Sequence, residues 1–504
     1  MANKIDSNLT GLRFAEEASL KVLPGSPIWF QLEPNTYKDF GGQIATVARN
    51  PINASRQRKK GVTTDLDASG GFNQDLTFLN TTSLLQGFFF ADIEEKFTNL
   101  HTNSAAHVMT AILASADDYT AAAGLAGPIV GTLIFATGFG QSANNGLHVS
   151  NSVASATAVS VVDGLADEPT PPATAKIKNV GHQFTSGTSA IVLNGTLVQL
   201  TDSSQDMTAL SCKVGEWIFL GGDTTPTTFV NNVGFARISR ITTGLLEFDK
   251  VSWTPANETG TGLTVQIFYG DIIRNQADPT LIKRRTYQVE RSLGNDADGV
   301  MSEYLVGAVA NELQINVAQA NKVTVDLSFV AVDNEQRAGI TGLKAGARPS
   351  LAVADAFNTS SDFYRIKLAS VAANASIAPL FAFSTDLTLT IKNNVTANKA
   401  IGVLGAFDTS AGTFEVGGNL TAYFANIAAV QAVRNNADVT LDFVLTKGQK
   451  GLLFDIPLLA LGDGRLDVKQ DQAITLPLQT NAAQSSFGWT LLFQSFEYLP
   501  VIAG

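Results

Sequence analysis

Between Val439 and Leu445 the apolar residues fall at every second position (Val439, Leu441, Phe443, Leu445), with Thr440 and Asp442 among the residues between them. The same period of two runs through Leu387, Leu389 and Ile391, through Val323, Val325, Leu327 and Phe329, and through Val62, Thr64, Leu66 and Ala68. Alternate residues of a strand point to opposite faces, whereas a helix repeats every 3.6 residues, so this pattern calls for sheets with one covered face. It recurs near both ends of the chain, and the fold expected is mainly β. Composition bears on this at one point. Only 16% of the 504 residues are charged, against about 25% in ordinary soluble domains. The Lys- and Glu-rich faces of solvated helices are therefore scarce, and low charge also suits a surface buried against partners.

Turn signals divide the pattern. Pro24-Gly25-Ser26-Pro27 precedes the apolar run Ile28, Trp29, Phe30, and Gly41-Gly42 precedes a strand from Gln43 to Arg49 that runs into Asn50-Pro51. A long connection with Arg56, Arg58, Lys59 and Lys60 leads to the strand through Leu66, which Gly70-Gly71 is expected to break or bulge. Ser83 is placed to cap a short helix through Leu84, Leu85, Phe88 and Phe89. No Lys or Arg occurs between Lys96 and Lys176, and Glu168-Pro169-Thr170-Pro171-Pro172 reads as a stiff connector. Short strands at Ile191–Leu200, Trp217–Leu220, Ala236–Ile241, Leu245–Phe248 and Leu263–Tyr269 then suggest a small β-barrel. From Lys283 the opening style returns. The run Leu66 to Phe78, with Gly70-Gly71, Leu76-Thr77 and Phe78, is echoed by Phe414 to Phe424, with Gly417-Gly418, Leu420-Thr421 and Tyr423, and each is followed by a short apolar segment. The expected organisation is a first domain of residues 1–97 completed by 279–350, a second domain of 351–504, and an insert of 98–278 divisible at 172/173.

Little in the sequence points to chemistry. Among the four histidines no two lie four residues apart, and Cys212 is the single cysteine, so helical zinc pairs, thiolate metal sites and intramolecular disulfides are not expected. With no charged-then-apolar leader, folding in a reducing cytoplasm is the expectation. There is no phosphate-binding loop ending in Gly-Lys-Ser/Thr and no Gly-x-Ser-x-Gly elbow. Glu16-Glu17, Glu94-Glu95 and Asp117-Asp118 are sequence neighbours whose side chains diverge. The net charge of −11 argues against gripping nucleic acid through its phosphates. Residues 121–140 are uncharged but hold five glycines and a proline, a poor membrane span. The basic cluster Arg56 to Lys60 admits three readings: a solvated loop, a DNA contact, or an arm docking on an acidic neighbour. The acidity of the whole chain favours the third.

The order of several short motifs resembles the tail tube (major tail) proteins of long, flexible-tailed bacteriophages of siphophage type. They are Asn8 to Glu17; Ala48-Arg49-Asn50-Pro51-Ile52 with Arg56 to Gly61; Asp65-Leu66-Asp67 with Gly70 to Asn73; Gly138-Phe139 with Asn144-Asn145-Gly146; Val214 to Ile218 with Gly221-Gly222-Asp223; Gly234 to Ile238; Phe268-Tyr269-Gly270; and Phe414 to Tyr423. The resemblance implies β-sandwich or barrel tube domains, two in tandem, each with a flanking short helix, and an inserted small β-barrel. It implies a structural virion protein, made in the host cytoplasm, that stacks as rings into a hollow tail tube for DNA ejection. It implies no enzyme activity, no cofactor and no membrane. The partners it implies are further copies of the chain in trimeric pseudo-hexameric or hexameric rings, the tape measure protein, the tail terminator and distal tail proteins, and DNA passing without specific binding. On this reading Arg56, Arg58, Lys59 and Lys60 form an inter-ring arm, and Thr64, Asp65, Asp67, Asn73, Glu415, Asn419 and Thr421 are candidates for the lumen, with one alternating set facing inward. The rival readings are a capsid decoration or tail-tip protein, and a glycan-binding or glycan-processing protein. For the latter, 4 Trp and 8 Tyr make a weak aromatic platform.

Overall fold

The computed structural model describes residues 5–501 apart from 53, 55, 80, 81, 100–107, 163, 185, 186, 224–227, 297, 298, 352, 372, 373 and 382. Strands dominate it, with two short α-helices among the described residues, Thr82–Phe89 and Ala428–Arg434. All named ladders are antiparallel.

One pairing scheme occurs twice. In the first repeat Gly11–Glu16 pairs with Tyr287–Asp296, which pairs with the first half of the 20-residue strand Gly299–Ala318. The second half of that strand pairs with Thr324–Ala331, which pairs with Lys59–Asp75, which pairs with Pro34–Arg49. In the second repeat Phe363–Ser370 pairs with Val439–Lys447 and the latter with the first half of Lys450–Asp463. The second half pairs with Thr475–Ala482, then Glu415–Tyr423, then Ser384–Lys392. In both repeats one long strand thus serves two sets of partners, and a helix follows the strand that carries the Gly-Gly step.

The repeats join where Glu312 to Ala318 pairs with Lys392 to Asp386. This seam makes eight strands continuous, four from each repeat. One alternating set, including Leu313, Leu327, Leu389, Leu420 and Leu478, enters a single hydrophobic cluster built from both repeats and roofed by Leu84, Leu85, Phe88 and Phe89 of the first helix. Burying each such side chain stabilises by roughly 1.5–3 kcal/mol, which fixes the register, because a slip of one residue would turn Thr388, Asn419 and Gln479 inward.

Several local expectations are corrected. The glycine pairs do not break their strands: the ladders run through Gly417-Gly418 without a shift on either side, and at Gly70-Gly71 the expected bulge appears only in the ladder to Pro34–Arg49, where Asp39 and Phe40 stand opposite Gly70. They serve close approach: a Cβ on Gly70 would lie 2.6 Å from Leu305 Cδ1, and one on Gly418 (φ +150°) would lie 1.9 Å from the Thr388 carbonyl oxygen. The repeat is also one residue out of the register read from the glycines. Gly70 stands opposite Phe329 as Gly418 stands opposite Thr480, so Asp67 corresponds to Glu415 and Asn73 to Thr421. The first helix begins at Thr82, which puts Ser83 inside it.

The intervening segment forms an 11-stranded sheet and a three-stranded one. The larger sheet is open rather than a closed barrel: Glu258–Thr259 at one end and Gly146–Val149 at the other each have one neighbour. Ile191–Leu200, read as one strand, is the hairpin Ala190–Asn194 and Leu197–Thr201, turned at Gly195 (φ +61°). The stretch 121–140 contains the strand Thr132–Thr137, and no helix among the described residues is long and apolar enough to cross a membrane. Glu168, at the start of the expected stiff connector, is buried and accepts hydrogen bonds from Gly140 N at 2.8 Å and Asn144 Nδ2 at 2.9 Å, whereas Pro169, Thr170 and Pro172 are exposed. Two hydrophobic clusters lie in this segment, one of them wholly within it. A third joins Trp217, Phe219, Phe235 and Phe268 to Val444, Leu453, Trp489, Leu492 and Phe496 of the second repeat. Asp271–Arg274, near the end of the expected insert, pairs with Leu492–Phe496 in the main sheet.

Candidate functional site

The face of the eight-stranded sheet opposite the core is polar because the alternation that supplies Leu and Val inward supplies Thr, Asn, Gln and Asp outward. Across its middle lie Glu312, Gln314, Thr390, Lys392, Asn419 and Gln479, which line one shallow trough. Lys392 stands between two carboxylates, cross-strand to both Glu312 and Glu415, with its Nζ 3.8 Å from Glu312. A second trough on the same face is lined by Lys38, Asn73, Asp326 and Ser328.

Six of the seven lumen candidates share this alternation. Asp65, Asp67 and Asn73 come from the first repeat and Glu415, Asn419 and Thr421 from the second. Thr64 does not: the ladder shifts between Thr63 and Asp65, leaving Thr64 the extra residue, its hydroxyl donating to the Ala45 carbonyl at 3.3 Å. Asn73 Nδ2 donates to Asp326 at 2.9 Å, and Asn419 N donates to Thr388 Oγ1 at 2.9 Å. Asp65 and Asp67 both hold Lys399, from the hairpin Thr396–Lys399/Ala406–Ser410 of the second repeat, which lies across the first. The hydrogen bond from Lys399 keeps the Asp65 carboxyl below its ordinary range, and the two aspartates raise the pKa of Lys399.

The basic residues occupy the far end of the hairpin Pro34–Arg49/Lys59–Asp75, whose last pair is Arg49 with Lys59. Arg56 (φ +57°) and Arg58 lie in the loop, Lys59 and Lys60 at the start of the returning strand, and all four are exposed. Both faces of this end are open to solvent, and Ile44, Val47 and Val62 are each more than half exposed there, with Ile52 fully so. A strand pair with no covered face and exposed apolar side chains is a surface that a neighbouring chain could cover.

Sequence reading missed the buried charges between the intervening segment and the second repeat. Arg237 donates to Asp249 at 2.7 Å and to both oxygens of Asp455 at 3.2 Å, and its guanidinium lies 5.2 Å from the centre of the Phe487 ring. Asp442, cross-strand to Asp455, is paired with Arg365. Burial pushes the Asp455 carboxyl up to about 6 even though Arg237 opposes the shift. Arg237 beside Asp455 and Arg365 beside Asp442 offset buried carboxylate charge and clamp two parts of the chain together. The clue in the sequence was a charge flanked by apolar residues in each of three strands, Arg237, Asp442 and Asp455. Cys212 is buried, and its thiol is pushed up to about 12, mainly by desolvation, which makes it a packed residue and a poor nucleophile. Among the described residues, no three His, Cys, Asp or Glu side chains cluster to hold a metal ion.

No curated protein matches the chain. The profile of the phage tail tube protein family matches residues 7–490. That span takes in both repeats and everything between them, so the chain belongs to the phage tail tube protein family and is a structural component of a virion tail.

Proposed function

We propose that this protein polymerises into stacked rings forming the hollow tail tube of a siphophage-type virion, through which DNA is ejected. The observation that carries the reading is the continuous antiparallel sheet of eight strands, four from each repeat, with one face buried and the other polar. Each chain supplies two tube domains, residues 1–97 with 279–350 and residues 351–504, and three chains close a ring of twenty-four strands in pseudo-sixfold symmetry. The polar face is the lumen. Its residues are short and uncharged or acidic at most positions, and like charge lets phosphates slide past without a grip. The tape measure protein fills the lumen before ejection, terminator and distal tail proteins cap the ends, and the segment 98–278 lies outside. The arm bearing Arg56, Arg58, Lys59 and Lys60 docks on acidic groups of the next ring. The role is mechanical, with no catalytic step.

Electron microscopy of the purified chain tests this: rings or tubes with a central channel are expected, with native mass spectrometry giving three chains per ring. Dispersed particles at all concentrations, or six chains per ring, would count against the reading.

A further inference from the structure

The internal repeat specifies how one subunit should meet the next, residue by residue. The ladder of Tyr287–Asp296 skips between Tyr287/Ala308 and Val289/Leu305, and that of Val439–Lys447 skips identically between Val439/Leu459 and Leu441/Ile456. Ala308 therefore corresponds to Leu459. The same step in numbering carries Asn316, paired with Thr324, onto Asp467, bridged to Thr475. At the other edge, both hairpins shift at matching places, between Pro34/Thr36 and between Ser384/Asp386, which sets Lys38 on Thr388 and Gln43 on Lys392.

Within the chain, Glu312 to Ala318 is zipped to Lys392 to Asp386. The counterparts of these two segments, residues 462–468 and 37–43, are the outer edges of the eight-stranded sheet, and among the described residues neither has a strand on its outer side. Such edges present rows of unpaired backbone N–H and C=O groups that a matching strand satisfies.

We propose that a second copy of this chain fills that edge in the register of the internal seam, so that Asp467 of one subunit lies opposite Lys38 of the next and Gly462 lies opposite Gln43. The inference rests on the tube reading and adds to it the register and the residues that set it. The charges fit. The internal seam carries Glu312 against Lys392, and the proposed seam carries Asp467 against Lys38 on the same polar face. Among the described residues the ion-pair partner of Asp467 is the exposed Lys469, at 2.7 Å. The apolar side fits too. Val317 faces Leu387 across the internal seam, and their counterparts are Val468, 68% exposed, and the half-buried Tyr37, so docking covers a valine that the single chain leaves in water.

The test is a chain carrying Lys38→Cys and Asp467→Cys, assembled and treated with a short thiol cross-linker, Cys212 being buried and silent. Directly opposed residues lie about 5 Å apart at Cβ, so a ladder of covalent multimers is expected on denaturing gels, absent from either single variant. The pair Gln43→Cys with Asp467→Cys, about 16 Å out of register, should give none. Tubes seen by microscopy in which the second pair cross-links and the first does not would overturn the register while leaving the tube reading intact. Absence of rings in the unmodified protein would overturn both. Should the cysteine chain fail to assemble, charge exchange decides: Lys38→Glu should cut ring yield at low salt by about fivefold, the upper end for one cross-strand ion pair, and adding Asp467→Lys should restore it. Failure of that rescue overturns the proposal.

Discussion

Arg237 is the strongest single test of how the intervening segment is attached. Its side chain is 2% exposed and bridges Asp249, itself 17% exposed, and Asp455, fully buried. Replacing Arg237 by Met keeps the volume and removes the charge. Asp249 can turn to water, but Asp455 is left in the interior beside Asp442, its cross-strand neighbour. Removing one partner of a buried pair costs about 3–5 kcal/mol, and at a urea slope of about 3 kcal/mol/M the unfolding midpoint should fall by about 1–1.5 M. Replacing Asp455 by Leu in the same chain removes the stranded charge, so the double variant should recover most of the loss. A pH scan supplies an independent signature. The Asp455 carboxyl, raised by burial to about 6 from an ordinary 3.8, takes up a proton on folding between those values. Its contribution to stability therefore declines as pH rises through that window, and the slope should vanish in the Asp455→Leu chain. Urea unfolding of unassembled subunits, followed by tryptophan fluorescence, reads all of this through Trp217, close to both Arg237 and Arg365. An unshifted midpoint for Arg237→Met, or a double variant weaker than the single, would refute the clamp.

Burial holds the His182 imidazole down to about 4. Stability should therefore be lost as pH falls from about 6.5 toward 4, by up to about 3 kcal/mol, and His182→Gln should flatten that acid limb in a thermal-shift series. Gly418→Ala places a methyl group against the Thr388 carbonyl at positive φ and should cost roughly 3 kcal/mol or more, whereas Gly448→Ala, at φ +59° with open space, should cost about 1–2 kcal/mol; paired denaturation curves check the ranking. Reversing Arg58, Lys59 and Lys60 to Glu should leave folded subunits that stack poorly, with high salt reproducing the defect in unmodified protein; undiminished tube growth at low salt, measured by light scattering, would contradict the arm's docking role.

What the sequence made legible was whatever depends on nearest neighbours. Alternation located Thr324–Ala331 and Ser384–Lys392, because a half-buried strand writes its two faces directly into successive residues; it also located Val439–Lys447, but there the expected open face is buried too, Thr440 and Asp442 included. It also sorted six of seven lumen candidates onto one face and put Thr64, which shares the parity of Leu66 and Ala68, in the other set; what it left unread was the bulge at Thr64, because an extra residue depends on the partner strand and leaves no local mark. Glycines misled for a related reason. Gly70 read as a break or bulge because local propensity penalises glycine in strands, yet Gly70 and Gly418 are each required by an atom brought close from elsewhere: Leu305 in one case, the Thr388 carbonyl in the other. The shared core between Trp217 and Leu453 was illegible on the same grounds, since a composition shift at Lys96 marks where the chain changes style but carries nothing about which surfaces then meet. The pairing of Arg237 with Asp455 spans more than two hundred positions. Each charge alone looks like a fault in an apolar strand, and only the fold makes the two a clamp. The seam between repeats shows the converse. Its residues are ordinary Thr, Gln and Leu that nothing local marks as a contact, and on the proposed ring reading the one copy inside the chain is the template for the contact with a neighbour.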